Sequence, residues 1–154
     1  MGYKTLPYRY NMTLLTDLYQ LTMGQVYWAE GMAEWEGVFH HFFRANPSGG
    51  GYIVASGLEA IIDYLKNFKF ENDDIDFLGT IPGNDGKPLF HPEYLKYLSR
   101  LEFSCDVDAV PEGTVVFPHE PLLRVRGPLL PAQLVETALL NLSPNLAQHR
   151  GWQK

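Results

Sequence analysis

Apolar positions recur at helical spacing from residue 14 to residue 26. Leu14, Leu18 and Leu21 share one face, and Leu15, Tyr19, Met23 and Val26 widen it. The spacing predicts a helix buried over much of its surface. Thr13 or Thr16 is placed to cap it, Asp17 falls in an early turn where negative charge is favoured, and Gly31 stops it. Before it, residues 1–12 read as an irregular arm. The period then changes to two. Val38 to Arg44 predicts a strand with Phe39, His41 and Phe43 on one face and Val38, His40, Phe42 and Arg44 on the other. Asn46 to Gly51 is a loop, and Tyr52 to Ala55 a second short strand.

Helical spacing returns at Leu58, Ile61, Ile62 and Leu65, with Phe68 extending the stripe. Asn72 to Leu78 reads as a short acidic helix, and residues 79–88 as a surface loop. Pro92 opens another helix, where its missing N–H costs nothing, with Tyr94, Leu95, Leu98 and Leu101 as the buried stripe. Three short strands follow, at 107–110, 114–117 and 122–125, punctuated by Pro and Gly. Pro131 then starts a helix with Leu134, Val135, Ala138, Leu139 and Leu142 on its apolar face. Helical and strand periods thus alternate along the chain.

Composition narrows the function. The chain has 154 residues, a one-domain length, with 45% apolar and 19% charged positions. Its net charge of −6 argues against general nucleic-acid binding, which needs clustered Lys and Arg. No apolar run is long enough to cross a membrane, and the first ten residues lack the apolar core of a secretory signal. One cysteine, Cys105, leaves no internal disulfide and no Cys-rich zinc site. These features point to a cytoplasmic protein. The aromatic share, 14%, is high and supplies flat amphipathic surface for cores, interfaces and flat ligands.

Few residues signal chemistry by themselves. Neither a GxxxxGK nor a GxGxxG loop is present. Gly49 to Gly51 forms either a backbone anion cradle or a plain turn before a strand. His40 and His41 point to opposite faces and cannot share a metal. His119, Cys105, Glu112 and the acidic run at Asp73, Asp74 and Asp76 read as structural or solvated. Asp17 and Tyr19 diverge by about 200° around their helix. Arg44 ends an aromatic strand before a glycine loop, where its fork of donors suits either a phosphate or a surface ion pair.

Longer strings carry a resemblance. Residues 14–23 read LLTDLYQLTM, 39–51 FHHFFRANPSGGG, 57–68 GLEAIIDYLKNF and 110–141 VPEGTVVFPHEPLLRVRGPLLPAQLVETALLN. In this order and spacing, from about residue 13 to 142, they closely resemble the N-terminal part of nicotinate phosphoribosyltransferase. The resemblance implies an open α/β sandwich, the N-terminal domain of a type II phosphoribosyltransferase, with the family's α/β barrel absent from this chain. It implies an enzyme that joins nicotinate to phosphoribosyl pyrophosphate, gives nicotinate mononucleotide and pyrophosphate, and couples this to ATP hydrolysis with Mg2+. It also implies a head-to-tail homodimer with sites at the subunit interface. By the same resemblance Asp17 and Tyr19 reach the neighbouring subunit's site, the tyrosine packing on the pyridine ring, and Arg44 contacts substrate phosphates. No catalytic residue and no metal ligand of the family falls within this chain, which is therefore expected to be inactive alone. A non-catalytic interaction module, pairing with a full-length subunit or a separate barrel chain, is the alternative.

Residues 143–154 depart from the family pattern, which continues as a helix. Pro144 interrupts that helix. The division expected is a family domain over 1–142 and a non-family tail over 143–154, arising from truncation or from a reading-frame slip. Pro-Asn-Leu-Ala encoded as CCA-AAC-CTT-G reads Gln-Thr-Leu one base later, which recovers three family residues.

Overall fold

The computed structural model describes residues 11–45 and 51–143. Helix α1 spans Leu18–Ala29, and strand β1, Glu36–His41, follows. Strand β2 is Ile53–Val54 and helix α2 Leu58–Lys66. Helices α3, Asn72–Gly79, and α4, Pro92–Leu98, precede strands β3, Asp106–Ala109, β4, Val115–Val116, and β5, Leu123–Pro128. Two short helices, α5 at Leu129–Leu134 and α6 at Glu136–Leu142, end the described chain. This is a mixed α/β domain with open sheets, as the resemblance implies. No barrel is formed among the described residues.

The larger sheet has the order β1-β5-β3, all antiparallel, with Phe39 opposite Val125 and Val107 opposite Val125 from the other side. Period-2 alternation then sorts the side chains. Val125 and Leu123 are buried on the inward face, while Arg124 and Arg126 stand outward. Arg124 binds Asp108 at 2.7 Å, and Arg126 binds Glu36 at 3.1 Å, both on the solvated face. The inward face is covered by α5, which also packs on α1. The core is apolar and dense: Tyr94, Leu98, Leu130, Leu134 and Val135 are fully buried. Gly24 lets α1 approach α4 closely, because a Cβ there meets Tyr94 Oη at 2.5 Å. That hydroxyl donates to Leu21 O at 3.1 Å.

A second, two-stranded sheet pairs β2 with β4. Its inward residues Ile53 and Val116 join Phe43, Ala55 and Leu122 in a small separate core.

Several boundaries differ from the sequence reading, each for a local reason. Asp17, rather than Thr13 or Thr16, is the N-cap of α1. Thr13 is instead buried, its hydroxyl donating to Lys69 O at 2.6 Å. The ladder of β1 stops at His41, although burial keeps alternating through Phe42, Phe43 and Arg44. The last helix starts at Leu129, not Pro131, since an N–H within the first turn has no intrahelical partner to lose. A turn at Val135 separates α5 from α6. Glu112 caps α2 from a distant turn: its Oε1 accepts from Gly57 N and Leu58 N at 2.8 Å each. The arm over residues 1–10, Gly49 and Gly50 of the glycine run, and all of the tail but Ser143 lie outside the described residues.

Candidate functional site

Side-chain hydrogen bonds join the N-terminal residues of the first and last helices, and polar groups of both gather there. Asp17 caps α1 in extended conformation, with φ −85° and ψ 147°. Its N–H donates to Gln20 Oε1 at 3.4 Å, one half of a capping box. Gln20 is fully buried. Its amide donates to Glu136 Oε2 at 3.2 Å, and its carbonyl oxygen also accepts from the Thr16 hydroxyl. Thr137 Oγ1 lies 2.9 Å from both Asp17 Oδ2 and Gln20 Oε1, so its single proton joins one of them at a time. Residues 120 positions apart thus fix the Asp17 carboxylate.

Tyr19 stands beside this cluster and remains 51% exposed. Partial burial raises its phenol pKa above the ordinary value, and the Glu136 and Asp17 carboxylates add to the shift. The ring is therefore neutral at physiological pH. Met23 and Val26 continue the same outward face of α1 at 38% and 57% exposure, and Leu18 flanks it at 50%.

Of the three residues singled out from sequence, the structure brings Asp17 and Tyr19 together. Arg44 lies elsewhere, in the segment beyond β1. There Phe43 O accepts from His119 N at 2.9 Å, and Arg44 follows with its side chain exposed. No described residue bonds its guanidinium. Gln20, Glu136 and Thr137 were missed by sequence reasoning. The one signal for them was the Asp17-to-Gln20 spacing, which is that of a capping box.

Glu136 also borders a cavity of about 90 Å³ whose other walls include Phe39, His40, His41 and Leu139. Cys105 is half-buried, and burial, aided by Asp106, pushes its thiol up to about 11, which keeps it protonated and unreactive. Among the described residues no three His, Cys, Asp or Glu side chains gather in a way that could hold a metal ion. No helix among them is long and apolar enough to cross a membrane.

Comparison with known proteins decides the family. The profile described as nicotinate phosphoribosyltransferase (NAPRTase) N-terminal domain matches residues 14–143. The chain belongs to the nicotinate phosphoribosyltransferase family. A nicotinate phosphoribosyltransferase of Mycobacterium tuberculosis is 44% identical over 128 residues, which cover 83% of this chain and 26% of that protein. The human enzyme of the same name is 44% identical over 129 residues, covering 84% of this chain and 23% of its own length. A crystal structure of human nicotinic acid phosphoribosyltransferase superposes with a TM-score of 0.73 at 41% identity, covering 83% of this chain and 25% of that one. A nicotinate-nucleotide pyrophosphorylase from Pyrococcus furiosus shares the fold, with a TM-score of 0.56 at 19% identity. The chain thus spans about a quarter of the length of its nicotinate phosphoribosyltransferase relatives. The match begins at the α1 region and ends at Ser143, so the Asp17, Tyr19 and Glu136 cluster lies inside it.

Proposed function

We propose that this chain supplies one half of a nicotinate phosphoribosyltransferase site. In that reading Tyr19 stacks on the pyridine ring of nicotinate in a neighbouring subunit of a head-to-tail homodimer, Asp17 orients the ring from beside it, and Arg44 holds phosphate oxygens. The carrying observation is Tyr19 itself: a neutral ring, half exposed, beside the Asp17 carboxylate within reach of the Thr137 hydroxyl. A flat electron-poor ring against an aromatic face contributes about 0.5–1.5 kcal/mol beyond area burial. The apolar face of Tyr19, Met23 and Val26 fits a subunit contact. The exposed fork of Arg44 fits a phosphate.

The whole enzyme's reaction joins nicotinate and phosphoribosyl pyrophosphate into nicotinate mononucleotide and pyrophosphate with ATP and Mg2+, in the cytoplasm. Among the described residues no three His, Cys, Asp or Glu side chains gather into a magnesium cage of their own. In this reading the cluster positions the pyridine ring, and this chain binds rather than catalyses. The alternative reading, an interaction module without a catalytic share, is favoured by the exposed α1 face alone.

Activity on mixing separates the two. The 154-residue chain alone gives no nicotinate mononucleotide from nicotinate, phosphoribosyl pyrophosphate and ATP. Added to the complementary C-terminal part of a relative, it restores turnover, and Tyr19→Ala lowers that turnover at least tenfold while complex formation persists. Complex formation with no restored turnover supports the interaction module instead. Turnover by the chain alone overturns both.

A further inference from the structure

His41 lies on the inward face of β1 at 9% exposure, and its Nε2 is buried without a hydrogen-bond partner among the described residues. Buried polar atoms are almost always met by protein or by ordered water, and each exception calls for an explanation. The side chain lines two cavities, the one of about 90 Å³ beside Glu136 and a narrower one of about 30 Å³ that carries more polar groups. Its walls are mostly apolar, but Ser56, Glu112 and Ser143 also reach it. Those residues come from the start of α2, the turn before β4 and the end of α6.

We propose that this cavity is a hydration site whose one water molecule bonds His41 Nε2 and bridges it to the polar residues opposite. The size fits: a water needs at least about 10–15 Å³ and two to four polar partners. Any organic ligand is too large. The electrostatics fit as well. The N-terminus of α2 is already satisfied, because Glu112 Oε1 accepts from Gly57 N and Leu58 N. An anion placed there meets that carboxylate, whereas a neutral molecule that both donates and accepts suits an imidazole, a carboxylate and hydroxyls together. Tyr64 provides the contrast. Its hydroxyl is also buried and without a partner among the described residues, yet Tyr64 does not line this cavity. The bound water joins four segments distant in sequence at the junction of the large core and the small one. It is independent of the substrate reading above.

The test uses the intact chain. A crystal structure at high resolution is expected to show one fully occupied water within about 3.2 Å of His41 Nε2, touching at least one of Ser56, Glu112 or Ser143. In solution, water-to-protein NOEs to the Ala55 and Val110 methyl groups are expected from a long-lived water, and His41→Leu removes them. A dry cavity, a protein group bonded to Nε2, or NOEs unchanged in His41→Leu overturns the proposal.

Discussion

The large sheet and the small β2–β4 sheet each bury one face, yet their exposed faces differ, mostly charged on the first and apolar on the second. In the large core, Leu130, Leu134 and Val135 retain no exposure, because α5 lies over β1 and β5 and α1 packs on α5. In the small sheet one face is buried by Phe43 and Leu122, while the other leaves Tyr52, Val54, Val115 and Phe117 between 46% and 55% exposed. An apolar strand therefore predicts a strand, and whether both faces are covered depends on what the chain folds over it. Two-residue strands also make few ladder bonds, and an isolated pair of strands is marginal in water.

Truncation should break the two regions unequally. Leu134→Ala is expected to cost about 2–5 kcal/mol, because it removes methyl groups and leaves a cavity in a rigid core. Val115→Ala, on the open face, is expected to stay within about 0.5 kcal/mol. Urea midpoints of the two variants give the comparison, and equal losses would mean that the open face is covered in solution.

The border between the regions is pH-sensitive through His41. Burial lowers its pKa from 6.5 to about 4 in the folded chain. As pH falls through 6.5 the unfolded chain takes up this proton and the folded chain does not. Stability is thus full above 6.5, falls between 6.5 and 4, and is unaffected by this group below 4. The total loss is about 3 kcal/mol at most. Melting temperatures across that window should slope less in His41→Leu than in the parent chain. Parallel slopes would show that other groups carry the acid sensitivity.

A smaller effect than that of His41 concerns the tie between them. Glu112→Gln keeps one acceptor but removes the charge that two N–H groups share, with an expected cost of about 1 kcal/mol. Amide exchange should quicken at Gly57 and Leu58 before any change in β1. Uniform quickening would place Glu112 in the global core instead.

Legibility of the site followed sequence distance. Asp17 and Tyr19 stood out because the string around them is contiguous, and Arg44 because it closes an aromatic strand. Gln20 could have been found from its capping-box spacing. Glu136 and Thr137 could not, since their roles rest on contacts spanning 116 and 120 positions. Glu112 read as a turn residue for the same reason: what it caps begins 54 positions earlier.

Local chemistry determined the elements. Period-3.6 and period-2 spacing, Pro at the first turn of α4 and the acidic start of α3 act over a few residues, so one chain suffices to read them. The length of the matched strings likewise determined the family. Tertiary structure alone decided which cap α1 uses, which faces are covered, and that α1 and α6 meet to hold Asp17. Those outcomes depend on competition among distant partners for the same donors, acceptors and apolar area, and no local spacing encodes the winner.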